Sequence, residues 1–366
     1  MSSHGEFGVY VHVPFCTRRC DYCAFATWTD RFHLVDDYVA ACVTAAGSVT
    51  RPATSVFFGG GTPSLLSPDA LGSVLTALPL ASGCEVTVEC NPETVDYPKL
   101  AGYAAAGVTR LSFGVQSLAP HVLTSLGRRH DPDSVARAVS AAARAGFAGS
   151  YSVDLIMGGA GETGRDWTET LEGVLALDPP PRHVSAYSLT VEPGTPLARD
   201  PGRHPDADDQ ADKYLDAARI LEDAGLHWYE ISNWARPGAE CRHNQLYWDQ
   251  GEYLGIGCAA HSHSVDPATG GARRWWNVRT PDRYISLISE GATGESAGED
   301  LDPVTRRREA LELSLRTPRG VPRAALPGWP DDEALRSLVS PEPGDRLVLT
   351  VAGRLLANEV ALRLSV

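Results

Sequence analysis

His12-Val13-Pro14-Phe15-Cys16-Thr17-Arg18-Arg19-Cys20-Asp21-Tyr22-Cys23 follows a short apolar run, Val9 to Val13, near the start of the chain. Three cysteines at x3 and x2 spacing fall on a loop just after what reads as a first strand. Thiolates are the protein ligands that hold iron–sulfur clusters. Three of them on a [4Fe–4S] cluster leave one iron without a protein ligand. That iron can chelate the amino and carboxylate groups of S-adenosylmethionine (SAM). An electron from the cluster can then break the sulfonium bond and release a 5′-deoxyadenosyl radical. Zinc is the competing metal, but structural zinc usually takes four ligands from two cysteine pairs, and one such cluster occurs here.

Working outward, short apolar runs alternate with Ala-rich amphipathic stretches from Gly8 to about Leu189. The runs are Val9 to Val13, Ser55 to Phe58, Glu85 to Glu89, Arg110 to Phe113, Tyr151 to Met157 and His183 to Leu189. Helical stretches such as Asp37 to Ala46, Pro68 to Leu78, Pro132 to Arg144 and Asp166 to Leu177 lie between them. Alternating strands and helices argue for parallel βα units. About six units fit, too few for a closed eight-stranded barrel. The expected fold is α/β, an open partial (β/α)6 barrel, although a doubly wound sheet has the same pattern.

Beyond it, a helix is expected over Asp208 to Ala224 and a strand over His227 to Ile231. Val265 to Gly271 reads as a turn-rich loop, and the acidic, Gly-rich stretch Gly291 to Pro303 as a linker. A helix from Val304 to Leu315, another from Asp331 to Val339, and a terminal strand and helix suit a small winged-helix-like domain. The expected division is 1–235 for the barrel, 236–300 for a connecting segment and 301–366 for the small domain.

Acids outnumber bases 46 to 32, a net charge of -14. Such a surface repels phosphate backbones, so nucleic acid is not expected as a partner. There is no signal-peptide pattern and no apolar stretch long enough to span a bilayer. These features suit a cytoplasmic protein, whose clustered cysteines bind metal rather than form disulfides. Peripheral membrane association and a homodimer are both left open.

Further motifs end the runs. Phe58-Gly59-Gly60-Gly61-Thr62-Pro63-Ser64 is a glycine turn that lets backbone approach a ligand. Glu89 ends the third run and could accept hydrogen bonds from a ribose. Gln116 ends the fourth, with Arg128 and Arg129 beyond it as candidates for a carboxylate. Asp154 is an acid within an apolar run, costly unless paired. Tyr187 and Ser188 close the sixth.

The CxxxCxxC spacing, with aromatic Tyr22 before the third cysteine, resembles the radical SAM superfamily. Tyr10-Val-His-Val-Pro-Phe-Cys16 is similar to the group containing the oxygen-independent coproporphyrinogen III dehydrogenase HemN and the heme chaperone HemW. The resemblance runs from Val9 to about Leu362. It implies a radical SAM partial barrel, with Cys16, Cys20 and Cys23 on the cluster. It also implies a SAM site drawn from Tyr10, Gly60, Gly61, Thr62, Glu89, Gln116, Arg128, Asp154, Tyr187 and Ser188. One departure is Gly158-Gly159-Ala160-Gly161, where the family has Gly-x-Pro-Gly. Its missing proline implies a looser loop.

Two positions separate the branches. Phe25 stands where HemN-like enzymes carry a further cysteine. His243-Asn244-Gln245-Leu246-Tyr247-Trp248 matches the HNxxYW motif associated with heme in HemW-like proteins. The resemblance therefore implies heme as a ligand, with His243 or the neighbouring Cys241 on its iron. Heme-accepting proteins, such as respiratory enzymes at the membrane surface, would be the partners. His261 and His263 read as structural, with heme contact open. The rival function is oxidative decarboxylation of two propionates of coproporphyrinogen III.

Overall fold

A computed structural model describes residues 5–128, 131–329 and 331–366. Arg129, the alternative to Arg128, lies outside the described residues.

Six strands appear where the apolar runs predict them. They are β1 (Phe7–Val13), β2 (Ala53–Gly60), β3 (Leu80–Cys90), β4 (Arg110–Gln116), β5 (Tyr151–Met157) and β6 (His183–Ser188). They pair in sequence order and in parallel. Helices α1 (Val35–Gly47), α2 (Pro68–Ala77), α3 (Tyr97–Ala105), α4 (Pro120–Ser125), α5 (Pro132–Ala142) and α6 (Gly164–Leu175) provide the crossovers, and α7 (Ala207–Asp223) follows. Several starts are set by side-chain caps. Ser67, Asp96, Asp131 and Asp206 accept backbone N–H groups at the first turns of α2, α3, α5 and α7.

Residues alternate in and out along each strand. The outward set, including Val56, Val88, Phe113 and Val153, is buried beneath the helices and forms the main core. The inward set is unusually polar: Thr87, Arg110, Ser112, Ser152, Asp154, His183 and Ser185. The barrel interior is consequently a cavity rather than a second packed core.

The sheet extends well past the six units. On the β6 side it adds β7 (His227–Glu230) and β8 (Asn233–Ala235). On the β1 side it adds β9 (Glu252–Ile256), parallel to β1, then antiparallel β10 (His261–Val265), β11 (Ala272–Asn277) and β12 (Glu295–Leu301). The full order is β12-β11-β10-β9-β1-β2-β3-β4-β5-β6-β8-β7, an open sheet.

The stretch read as a linker, Gly291 to Pro303, instead contains β12. Its acids form cross-strand pairs, Glu295 with Arg273 at 2.6 Å and Glu299 with Arg274 at 2.7 Å. Charge on an edge strand also opposes pairing with other chains, which is why the segment has a linker's composition. The HNxxYW stretch forms a short helix, α8 (Arg242–Trp248), and α9 (Pro281–Ser289) packs on α1.

Helix α10 (Pro303–Leu315) leads into the small terminal unit. Its sheet is antiparallel: β13 (Val321–Pro322), then β14 (Val339–Glu342) and β15 (Arg346–Leu349), with β15 in the middle. Short helices α11 (Glu333–Leu338), α12 (Val351–Leu355) and α13 (Ala357–Ala361) complete it. It has its own core around Leu315, Val321, Leu335, Leu347 and Val360. Arg316 reaches back to Glu230 at 2.7 Å. Among the described residues no helix is long and apolar enough to cross a membrane.

Candidate functional site

A cavity of about 710 Å³ occupies the barrel interior. Cys16, Cys20, Cys23, Tyr10, Gly60, Gly61, Thr62, Glu89, Gln116, Arg128, Asp154, Tyr187, Ser188 and His243 all line it. The structure thus gathers residues that the sequence spreads over more than half the chain.

The cysteine loop leaves β1 and is pinned at its base. The backbone of Cys16 donates to Trp28 O at 3.0 Å, and Trp28 N donates to Pro14 O at 2.7 Å. Inside the loop, Cys23 N donates to Cys20 O at 3.2 Å. His12 ties the far end: its Nε2 lies 2.9 Å from Ala26 O and its Nδ1 lies 3.2 Å from the Tyr10 hydroxyl. A carbonyl can only accept, so Nε2 carries the proton and Nδ1 receives the tyrosine hydrogen. Burial holds this imidazole neutral, its pKa lowered to about 4.

All three cysteines are free thiols. Burial raises the pKa of Cys16 and of Cys23. A bound metal centre would reverse that preference, since coordination removes the thiol proton. The surroundings suit thiolates. Thr62 Oγ1 donates to Cys16 Sγ at 3.5 Å, and Arg128 Nη1 approaches Cys20 Sγ at 3.8 Å. Among the described residues no three His, Cys, Asp or Glu side chains converge on one ion-sized point; the cysteines share a cavity wall.

The glycine turn packs against this loop. Gly61 N donates to Val13 O and Thr62 N to Phe15 O, both at 2.8 Å. Gly60 has φ +108, a conformation that L side chains rarely adopt, and a Cβ there would stand 2.4 Å from the His12 ring. A Cβ on Gly61 would stand 3.0 Å from Cys16 Sγ. Space at the turn is therefore shared between the cysteine loop and any ligand.

Glu89 Oε2 accepts from Gly60 N at 3.1 Å. Desolvation in the barrel, then the nearby charge of Asp154, pushes its pKa up to about 8, against the Gly60 N–H. Asp154 accepts from Ser112 at 2.7 Å, and burial raises it too. Gln116 sits at positive φ beside a register shift in β4–β5 pairing, a bulge that re-aims the side chain. Arg128 Nη2 donates to Asn91 Oδ1 at 2.8 Å and to Gly114 O at 2.9 Å, while its Nε is buried without a partner.

The loop after β5 is not loose despite Ala160. Gly158 N donates to Glu162 Oε2 at 2.7 Å, and buried Lys213 clasps the Glu162 carbonyl at 2.9 Å. Lys213 also pairs with the buried Glu162 carboxylate at 3.2 Å.

Helix α8 closes the opposite end of the barrel. Glu85 Oε1 accepts from Arg242 N at 2.9 Å and His243 N at 3.3 Å. His243 is 1% exposed. Its Nδ1 lies 2.9 Å from Ser55 Oγ and its Nε2 3.0 Å from the Tyr247 hydroxyl, and its ring stacks on Phe57. Burial lowers its pKa to about 3. Both ring nitrogens are engaged, so iron ligation by His243 would require one of these bonds to break. Cys241 is buried as well, and burial pushes its thiol up to about 12, against the thiolate that iron binds.

Sequence reading missed Arg110 and His183, which also line the cavity. Arg110 Nη1 donates to Ala239 O at 3.0 Å, and His183 Nε2 lies 2.6 Å from the Tyr229 hydroxyl. Each sits two positions before an inward polar residue, a period-2 signal that was there to be read.

The radical SAM superfamily profile matches residues 10–174. The heme chaperone HemW of Mycobacterium tuberculosis (strain ATCC 25618 / H37Rv) is 41% identical over 97% of this chain and 93% of its own. HemW of Escherichia coli (strain K12) is 33% identical, covering 96% of each. The mouse mitochondrial radical S-adenosyl methionine domain-containing protein 1 is 39% identical over 87% of this chain and 75% of its own. Among solved structures, Escherichia coli coproporphyrinogen III oxidase (HemN), a radical SAM enzyme, superposes with a TM-score of 0.82. That match covers 98% of this chain and 89% of that one at 22% identity, and so speaks for the fold.

Proposed function

Because this chain belongs to the heme chaperone HemW family of the radical SAM superfamily, we propose that it binds heme and hands it to acceptor proteins. Membership in the superfamily implies a [4Fe–4S] cluster and SAM. Cys16, Cys20 and Cys23 would hold the cluster, which supplies one-electron chemistry toward the SAM sulfonium. The turn carbonyls of Gly60 and Gly61, with Thr62, would face the amino group of SAM. Glu89 would accept from its ribose and Arg128 would meet its carboxylate. Tyr10, Gln116, Asp154, Tyr187 and Ser188 would complete the wall. The chain's own contribution is to orient the ligand and exclude water, because the site is enclosed by the barrel.

The observation that carries the chaperone reading is Phe25. It lines the cavity mouth, is 64% exposed, and occupies the position of a further cysteine in HemN-like enzymes. An apolar side chain there suits a hydrophobic tetrapyrrole and supplies no thiol. The acceptors are proposed to be heme-dependent respiratory enzymes at the membrane surface, reached from the cytoplasm. The test is anaerobic reconstitution followed by parallel assays. Heme binding with a Soret band and no conversion of coproporphyrinogen III to protoporphyrinogen IX is expected. Robust product formation with SAM and a reductant would replace the chaperone reading with the dehydrogenase.

A further inference from the structure

We infer that the floor of the barrel binds the carboxylate of a small organic acid on Arg110, His183 and Thr87, beneath the residues proposed for SAM. The subsite stands on its own side chains and does not depend on the heme-carrier reading. All three residues line the cavity, and their exposures are 6%, 2% and 0%. Each keeps one buried polar atom with no partner among the described residues: Arg110 Nη2, His183 Nδ1 and Thr87 Oγ1. Neither protein nor solvent reaches these atoms in the ligand-free chain. A buried donor left unmet is costly, and a charged one more so. A small shift of the side chains that admits an acceptor relieves all three at once.

The three belong to one patch. Thr87 and Arg110 are register partners on β3 and β4, so their side chains stand side by side. Arg110 Nη1 donates to Ala239 O at 3.0 Å, which holds the guanidinium and leaves Nη2 free. Its charge, after burial itself, keeps the His183 ring neutral. The tautomer follows from the neighbours. Cys241 N donates to the Tyr229 hydroxyl at 3.3 Å, and that hydroxyl lies 2.6 Å from His183 Nε2. The tyrosine hydrogen has His183 as its acceptor, so the imidazole proton sits on the unpartnered Nδ1. Guanidinium, imidazole and hydroxyl therefore all offer hydrogens, and among the described residues no carboxylate forms an ion pair with Arg110. One positive charge and two neutral donors match a singly charged anion with two oxygens, which is a carboxylate. Thr87 precedes Glu89 by two residues, which sets the floor about 7 Å deeper along the strand. An acid bound there and SAM at Glu89 occupy the cavity together.

The test uses the full chain, with its cluster reconstituted anaerobically and SAM in excess. Melting midpoints are read by calorimetry as sodium acetate, phosphate or chloride is added at constant ionic strength. Acetate is expected to raise the midpoint saturably over the chloride baseline, because a ligand that binds only the folded state stabilises it. Arg110→Gln should weaken acetate binding by at least about tenfold. Thr87→Val keeps the side-chain shape and removes a hydroxyl that bonds nothing. It should melt no lower than the wild type without ligand, yet bind acetate more weakly, a combination that a merely structural threonine does not give. That variant decides the matter if Arg110→Gln does not fold. No acetate-dependent rise in the wild type, or an undiminished rise in either variant, overturns the subsite. A larger rise with phosphate than with acetate overturns the carboxylate. None of these readouts involves heme, so the carrier reading stands or falls separately.

Discussion

The hydroxyl of Thr62 donates to the sulfur of Cys16 across 3.5 Å, joining the glycine turn to the cysteine loop. With Gly61 N on Val13 O and Thr62 N on Phe15 O, the two segments form one mechanical unit. Damage to one should be felt by the other.

Gly61→Ala tests that coupling. The new Cβ would lie 2.8 Å from the carbonyl oxygens of Val13 and Phe15, as well as against Cys16 Sγ. Backbone cannot yield cheaply, so cluster content should fall along with the response to SAM. Iron and sulfide analysis after anaerobic reconstitution decides it. Full iron with only the SAM response lost would show that the segments are independent.

Cluster ligation itself is tested by Cys20→Ala, which should abolish the visible absorbance and the reduced-cluster resonance. Cys42→Ala should leave both intact. Cys42 is 2% exposed and packed in the main core, so its loss should instead cost on the order of 1 kcal/mol of stability.

The ligand-free protein should lose stability as pH falls from about 6.5 toward 4. His12 and His243 have folded pKa values lowered to about 4 and about 3. Below the ordinary histidine value the unfolded chain takes up protons that the folded chain refuses, which favours unfolding. His243 alone contributes roughly 3 kcal/mol over that window. Urea midpoints at a series of pH values should show a shallower slope in His243→Gln. An identical slope would mean that burial does not keep the ring neutral.

SAM affinity should rise with pH up to about 8 and then level. Glu89 stays protonated below its raised pKa of about 8 in the ligand-free barrel, and a carboxylate is the stronger acceptor for a ribose hydroxyl. Binding should therefore release a proton. Spectral titrations of the reduced cluster at several pH values measure this. In Glu89→Gln the affinity should be weaker and flat over the same range; a wild-type pH profile there would remove Glu89 from the site.

The six barrel strands were legible because each carries an apolar outward set and ends in a glycine or polar motif. The cluster loop was legible because three cysteines at fixed spacing are rare. The flanking strands β8 to β12 were not. Ala272–Asn277 and the edge strand Glu295–Leu301 are short and carry charge, and their apolar content is too small to show a period. The role of His243 was legible only as a motif. Its two hydrogen bonds go to Ser55 and Tyr247, and Ser55 is far away in sequence.

The pairing of β1 with β9 has a consequence for how the protein is made. Phe7 leaves the ribosome long before Glu252, one of its strand neighbours. Until that residue emerges, β1 is an open edge, and the far end of the barrel lacks the helix that covers Glu85. Nascent chains hold this edge exposed through most of synthesis, a state prone to pairing with other chains. A product that stopped after Ala235 would keep all three cluster cysteines but leave β1 without its β9 partner, a substrate for quality control rather than a smaller working protein.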